Sequence, residues 1–181
     1  MNICVFCGSS SGLKPEFIQA AREFGRLIGS SGHSLVYGGA NIGLMGAVAD
    51  AVLDSGGHVT GVIPSFLVEY EIAHRQISEL IVVGSMHERK KKMAERSDAF
   101  VAFPGGWGTL DELAEMLTWK QLRLITHPIG MLNTDGFFDP LLTAMRTMAD
   151  NGFLKPEHLD MITVRQQPAE LFNAMKLYEN A

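Results

Sequence analysis

The sequence contains few cysteines, no long apolar run and no excess of positive charge, and each of these absences excludes a class of protein. Only two cysteines occur among 181 residues, which is too few for a small domain held together by disulfides. The lack of about 18 consecutive apolar residues and of a basic, apolar leader predicts a cytoplasmic protein without a membrane partner. With 15 Lys and Arg against 20 Asp and Glu, the formal charge is −5, so we expect no nucleic-acid partner.

The two cysteines, Cys4 and Cys7, have the C-x-x-C spacing of redox pairs and zinc sites. Both lie in an apolar, strand-like run, where positions three apart point to opposite faces of a sheet. Redox pairs usually begin a helix, and structural zinc needs two further ligands. The six histidines are scattered without an H-E-x-x-H pairing. The sequence therefore predicts no metal, no cofactor and a reducing compartment, with redox or metal chemistry as the less favoured alternative.

Short β-rich apolar runs alternate with longer helical patterns, which is typical of a parallel sheet covered by helices. Strands are expected at residues 3–7, 35–37, 59–63, 80–83, 99–103 and 129–132, and helices at 15–30, 44–55, 87–97, 109–124, 140–151 and 168–178. No repeat, linker or low-complexity tract interrupts the chain. We therefore predict one doubly wound α/β domain over residues 1–181, with its ligand beyond the carboxyl ends of the strands.

Glycine-rich loops follow three of the predicted strands, at residues 8–12, 38–46 and 104–109. Glycines let backbone amides turn toward a ligand, and the positive end of a following helix favours an anion, so a phosphate is expected there. The loop at 104–109 gives the strongest signal, because Thr109 adds a hydroxyl beside these amides. The three loops together predict a nucleotide-sized site.

Several other interpretations of these loops fit less well. Neither a P-loop nor a strict G-x-G-x-x-G occurs, which argues against a P-loop NTPase and an ordinary NAD site. Residues 8–12 match the G-x-S-x-G pattern of serine hydrolases, but the position in the chain and its length do not suit that fold. Taken alone, this first loop fits an ordinary turn better than a ligand contact.

The helix predicted from Thr109 combines carboxylates with large apolar groups. One stripe is expected to face the core and consists of Leu110, Leu113, Ala114, Leu117 and Gln121. Glu112, Glu115, Met116 and Trp119 lie on the opposite face. The two glutamates are either solvated or project into a cleft, and the nearby phosphate loop favours a functional role for Glu112. Met116 and Trp119 predict a subunit interface of a homodimer, near which Glu115 and Thr118 would approach the partner's cleft.

A basic helix precedes the third loop, at residues 86–96. Such a segment is usually a solvated face. Met86, Arg89, Lys90 and Met93 nevertheless share one stripe, so the apolar positions draw at least one cation inward. A partly buried arginine needs an anionic or polar partner, which a phosphate-bearing ligand would supply.

These segments together resemble a known family. The similarity rests on residues 38–46, 86–90, 97–100, 104–112 and 118–122, and above all on P-G-G-x-G-T-x-x-E with an upstream Arg-Lys. They are similar to the LOG family, the cytokinin riboside 5′-monophosphate phosphoribohydrolases, formerly often labelled lysine decarboxylase-like. The resemblance implies a Rossmann-like homodimer that hydrolyses the N-glycosidic bond of an adenosine-type 5′-monophosphate, which would be its small-molecule partner.

The resemblance also assigns roles to particular residues. Arg89 and Glu112 match the catalytic pair of the family. The positions that match substrate-binding residues are Glu71, Lys90, Gly105, Gly106, Trp107, Gly108, Thr109, Leu110, Asp111 and Thr118. A departure occurs at residues 123–128, where many members have Gly-Ile-His-x-Lys-Pro in place of Arg-Leu-Ile-Thr-His-Pro. Nothing resembles the pyridoxal-phosphate lysine site of an amino-acid decarboxylase.

Two alternatives stay open at this point. One is a general purine nucleoside-monophosphate nucleosidase, because the shape of the base pocket cannot be read from these motifs. The other is a carrier that binds a nucleotide or cofactor without catalysis. The combination of Glu112 with Arg89 favours an enzyme over a carrier, since a carboxylate can stabilise the positive charge that forms on a ribose during cleavage.

Overall fold

A sheet of parallel strands, flanked by helices on both faces, organises the computed structural model, which describes residues 1–68 and 73–177. Seven strands lie in this described part: β1 Asn2–Phe6, β2 Ser34–Tyr37, β3 His58–Pro64, β4 Glu79–Val83, β5 Ala99–Ala102, β6 Ile129–Leu132 and β7 Ile162–Arg165. The helices are α1 Pro15–Ser30, α2 Gly43–Asp54, α3 Met86–Glu95, α4 Trp107–Gln121, α5 Asp139–Asp150 and α6 Pro168–Ala174. Short 3-10 turns cover Ser65–Leu67, Thr134–Gly136 and Pro156–Met161.

The strand order β4-β3-β2-β1-β5-β6-β7 confirms the predicted doubly wound α/β fold. β1 lies in the middle and pairs in parallel with β2 and with β5, so that Val5 aligns with Tyr37 on one side and with Val101 on the other. The chain winds outward in both directions from β1. A crevice therefore opens beyond the carboxyl ends of β1 and β5, where sheets of this type bind ligands.

Two apolar layers cover the two faces of the sheet. One layer packs α1, α2 and α6 against residues such as Val5 and Cys7. The other packs α3 and α4 against residues such as Cys4 and Phe6. Cys4 and Cys7 thus face opposite layers as free, buried thiols, as their spacing predicted. The burial of both thiols raises their pKa above the ordinary value, which makes them poor nucleophiles.

Most predicted elements agree with the structure to within two residues, and the exceptions have physical explanations. β7 is not predicted, because it is a short edge strand with polar positions and pairs only with β6 among the described strands. The last helix ends at Ala174, earlier than predicted, and the expected end at residue 178 lies outside the described residues. Within residues 1–68 and 73–177, no helix is both long and apolar enough to cross a membrane.

The predicted faces of α4 are wrong in part, because Leu113 is buried and Leu110 and Leu117 pack against the second apolar layer as expected, but other positions differ. Its buried residues are Thr109, Glu112, Leu113 and Met116. Met116 is only 1% exposed and packs in the second apolar layer, whereas the expected core residues Ala114 and Gln121 are exposed. Apolar side chains surround most of this helix, so periodicity alone could not determine which of them would face the sheet. Met116 consequently cannot contribute to a subunit interface.

Candidate active site

The three glycine-rich loops meet at the carboxyl edge of the sheet, as predicted. The Gly8 amide donates to the carbonyl of Pro104 (3.1 Å), and the Leu44 amide donates to the carbonyl of Gly8 (3.1 Å). A Cβ at Gly105 would overlap Thr109 Oγ1 and would lie 2.9 Å from the Gly8 nitrogen. Only glycine at position 105 therefore permits the first and third loops to approach so closely.

The N-terminus of α4 presents backbone amides at this edge. The first hydrogen bond within the helix runs from the Leu110 amide to the carbonyl of Gly106 (3.1 Å). The amides of residues 107–109 therefore have no acceptor within the helix. The first turn contains no acidic residue, and Gly106 provides no side-chain cap. Apart from the adjacent residues and the helix's own backbone, no atom of residues 1–68 or 73–177 lies within 4 Å of the position that a Cβ at Gly106 or Gly108 would take. The described residues therefore leave room for an anion at the positive end of the helix.

Arg89 lies beneath the same edge, on α3, and is 4% exposed. Its Nε donates to the carbonyl of Val62 (3.1 Å), and its Nη2 donates to the carbonyl of Gly38 (2.7 Å). A Cβ at Gly38 would overlap Nη2, so the guanidinium requires glycine at that position. The prediction that one cation of this helix is drawn inward is confirmed.

Glu112 lies on the buried side of α4 and is 7% exposed. Within residues 1–68 and 73–177, Arg89 and Glu112 are the only buried residues among the arginines, lysines, aspartates and glutamates. Both line one cleft with a volume of about 270 Å³. Cys7 lines the same cleft. Burial raises the pKa of its thiol, the charge of Glu112 raises this pKa further, and the charge of Arg89 lowers it. Both charges therefore lie close to the thiol. Buried charges are costly, and their shared location indicates a functional site.

Lys90 connects α3 to α4. Its Nζ lies 3.0 Å from Asp111 Oδ2 and 3.3 Å from Glu115 Oε2. Burial lowers the pKa of Lys90, but the hydrogen bonds to Asp111 and Glu115 and their charges outweigh this effect and raise it. The ammonium therefore stays charged and stabilises the position of α4 relative to α3.

The structure brings most of the predicted site residues together. The cleft is lined by Arg89, Gly106, Trp107, Gly108, Thr109, Asp111 and Glu112 among them. Gly105 lines an adjoining cavity of about 300 Å³, which shares Gly8, Ser9 and Gly106 with the cleft. Leu110 packs against the second apolar layer, and Thr118 is exposed with its hydroxyl donating to the carbonyl of Ala114 (2.8 Å). Glu71 lies outside the described residues.

Several residues that line the cleft had no predicted role in the site, including Ser9, Met45, Leu67 and Met86. Met45 and Met86 belong to segments that carry the family resemblance, and Ser9 lies in the first glycine loop. Leu67 follows β3 in a short 3-10 turn and had no signal of its own. In the described part of the chain, no three His, Cys, Asp or Glu side chains form a group that could hold a metal ion. The absence of a metal from the reaction stays a prediction.

The departure from the family pattern begins at the end of α4. Arg123 has a φ of 60°, and its amide donates to the carbonyl of Lys120 (3.0 Å) while the Leu124 amide donates to the carbonyl of Trp119 (2.9 Å). This is a Schellman C-cap, which favours glycine at the left-handed position. Many family members have glycine at position 123, and glycine fits this left-handed conformation better than arginine does.

Solved structures share this fold. The molybdenum cofactor binding protein from the phototrophic bacterium Rippkaea orientalis has a TM-score of 0.75 and 23% identity, with 99% of this chain and 97% of that chain covered. The Moco carrier protein from Chlamydomonas reinhardtii has a TM-score of 0.73 and 24% identity, with 98% and 96% covered. At these identities the likeness extends to the fold alone.

Curated relatives are more similar in sequence. A probable cytokinin riboside 5′-monophosphate phosphoribohydrolase from Oryza sativa subsp. japonica is 47% identical over 176 residues, which cover 97% of this chain and 79% of that protein. A cytokinin riboside 5′-monophosphate phosphoribohydrolase from Arabidopsis thaliana is 46% identical over 177 residues, which cover 98% and 82%. The family model described as "Possible lysine decarboxylase" matches residues 45–175. The chain therefore belongs to the LOG family of cytokinin riboside 5′-monophosphate phosphoribohydrolases.

Proposed function

We propose that this protein hydrolyses the N-glycosidic bond of adenosine-type 5′-monophosphates, with or without an N6 substituent, and releases the free base and ribose 5-phosphate. The observation that carries the proposal is the placement of Arg89 and Glu112, the two buried charged residues of the described chain, in one cleft with the open N-terminus of α4. The names of the curated relatives agree with this reaction.

The helix terminus is assigned to the 5′-phosphate. The amides of residues 107–109 and the Thr109 hydroxyl can donate hydrogen bonds to phosphate oxygens, and the helix dipole favours their charge. Gly106 and Gly108 leave room for the anion. Binding energy from this remote group positions the ribose for reaction, so a nucleoside without a phosphate should react poorly.

Glu112 is assigned to the chemical step. As the bond from C1′ to the base breaks, positive charge builds up on the ribose, and a fixed carboxylate stabilises that charge or orients the attacking water. The water oxygen bonds to C1′, one water proton is transferred to the departing base, and the other stays on the new hydroxyl. The atoms of base, ribose 5-phosphate and water then balance.

Arg89 is assigned to positioning of the substrate and of Glu112. A guanidinium keeps its charge in folded proteins, so proton transfer is a poor role for it. Its hydrogen bonds to the carbonyls of Val62 and Gly38 fix its orientation. The role of Lys90 in nucleotide binding, which the resemblance implied, would be indirect, through its ion pairs with Asp111 and Glu115.

A homodimer is part of the proposal. Leu122 and Leu124, which follow α4, are 61% and 67% exposed, and α5 is amphipathic without a buried residue. A second copy would cover these apolar groups and could bring Thr118 or Glu115 near the partner's cleft. We further propose that residues 1–181 work as one nucleotide-binding domain in the reducing cytoplasm, since all described strands belong to one sheet and both thiols are free.

Chromatographic assays of the purified protein test the reaction and separate it from the alternatives. We expect base release from AMP and its N6-isopentenyl analogue, and little from adenosine. Comparable rates for many purine monophosphates would favour the general nucleosidase. Nucleotide binding without release of base from any monophosphate would favour the carrier, and the proposed hydrolysis would then be wrong.

A further inference from the structure

A buried histidine outside the candidate active site, His74, pairs with an aspartate from α2. His74 is 5% exposed, and its Nε2 donates to Asp50 Oδ1 (2.9 Å). Its Nδ1 accepts a hydrogen bond from the Gln76 amide (3.3 Å), so the ring proton lies on Nε2. Both ring nitrogens are therefore used, and the imidazole has one orientation.

The backbone at His74 is attached to the turn after β2. The His74 amide donates to the carbonyl of Gly39 (2.9 Å), and Ala73 forms an isolated antiparallel bridge with Ala40. The Ala73 amide donates to the carbonyl of Val68 (3.1 Å). These backbone contacts fasten residues 73–74 onto residues 39–40, and the pair between Asp50 and His74 holds the same segment against α2.

The same turn holds Arg89. The carbonyl of Gly38 accepts from Arg89 Nη2 (2.7 Å), and a Cβ at Gly38 would overlap that nitrogen. Gly38 and Gly39 are joined by one peptide bond, so movement of the Gly39 carbonyl shifts the acceptor that orients the guanidinium. A short, geometrically demanding contact of this kind is sensitive to small displacements.

We propose that His74 and Asp50 are positioning residues of the hydrolytic site. Their hydrogen bond holds His74 against α2, so that its backbone contact keeps the turn at Gly38 and Gly39, and with it Arg89, in position. The inference rests on the proposed function. It extends the site to two residues that do not line the cleft and that the glycine motifs do not include.

Replacement of Asp50 tests this role without disturbing the core, because the Asp50 side chain is 63% exposed. Asp50→Ala removes the acceptor, and Asp50→Asn keeps an amide oxygen that can accept from Nε2. Asp54→Ala is the matched control, since Asp54 is an exposed aspartate one turn later at the end of α2. For each variant we measure steady-state kinetics with AMP, thermal melting, and hydrogen exchange of the peptide that spans residues 73–78.

We expect Asp50→Ala to lower kcat about five- to fiftyfold with KM within about twofold of wild type, because Arg89 is misplaced and not lost. Exchange in residues 73–78 should accelerate, and Asp50→Asn should restore most of kcat. Wild-type kcat in Asp50→Ala, or an equal loss in Asp54→Ala, would overturn the positioning role alone. A wild-type protein that releases no base from any monophosphate would overturn the proposed function, and this inference with it.

Discussion

At the scale of single residues, the orientation of Arg89 depends on the absence of a side chain at Gly38. The guanidinium occupies the space that any Cβ at position 38 would need. Gly38→Ala should therefore displace Arg89 and lower kcat/KM for AMP by about tenfold or more, while secondary structure is retained. Steady-state kinetics and circular dichroism measure both effects.

Gly84→Ala is the matched control for that substitution. A Cβ at Gly84 would meet only Glu88 Oε2, at an ordinary contact distance of 3.4 Å. Near-wild-type activity is expected for it. Equal activities of the two variants would show that the close approach of Arg89 to Gly38 does not matter for the reaction.

The contact between Arg89 and Gly38 also shows what the sequence alone could and could not predict. The stripe on α3 predicted an inward cation, because apolar neighbours at helical spacing draw it toward the core. The partner was not predictable, since Gly38 is 51 positions away and only the winding order of the sheet brings the two together. For the same reason, the pairing of His74 with Asp50 has no signature in the sequence.

At the scale of elements, the N-terminus of α4 is assigned to the phosphate. Gly106→Asp places a carboxylate where the anion would bind, so inhibition by ribose 5-phosphate and turnover of AMP should both be lost by like-charge repulsion. Competition assays and calorimetry with inorganic phosphate measure this loss. Ala114→Asp adds the same charge on an exposed position of the helix and should leave phosphate competition intact. Undiminished phosphate binding by Gly106→Asp would place the anion elsewhere.

The C-terminus of α4 yields a prediction about stability. Arg123 has a left-handed φ of 60°, which costs a residue with a Cβ about 1 kcal/mol relative to glycine. Arg123→Gly should therefore raise the free energy of unfolding by up to about 1 kcal/mol, as measured by urea denaturation. Arg123→Lys keeps the strain and should leave stability unchanged. A destabilised Arg123→Gly variant would show that the arginine side chain makes a larger contribution than the strain.

Elements differed in how well the sequence predicted them. β6 was predicted over its observed residues, because its four apolar positions are buried on both faces. The face of α4 was predicted only in part, because Leu110, Leu113, Met116 and Leu117 leave several orientations equally apolar. Packing against β1 and β5 selects the one that buries Glu112, a choice that local periodicity would disfavour.

At the scale of the whole molecule, the predicted homodimer needs a different test from the one that the sequence suggested. Met116 is buried, and Trp119 packs partly against the second apolar layer, so changes there would also disturb the fold. Leu122→Glu changes a residue that is 61% exposed and should weaken association, because burying a charge at an interface is costly. Light scattering and activity at several protein concentrations measure the effect.

Leu13→Glu is the control for association, since Leu13 is fully exposed and lies far from α4 in the chain. It should leave the mass in solution unchanged. A monomer of 19.8 kDa with full activity in the wild-type protein would contradict a shared site. An intact dimer of Leu122→Glu would place the interface on another surface.

The role of Glu112 is tested most directly by comparing base release from AMP by the wild-type protein and by Glu112→Ala. Glu112 is the only buried carboxylate among the described aspartates and glutamates, and it should stabilise the charge on the ribose. Its removal should therefore slow turnover at least about a hundredfold while the circular dichroism spectrum is unchanged. Glu95→Ala, which removes an exposed glutamate at the end of α3, serves as the control and should have a much smaller effect. Base release by a folded Glu112→Ala protein near the wild-type rate would contradict the assignment of this cleft as the hydrolytic site.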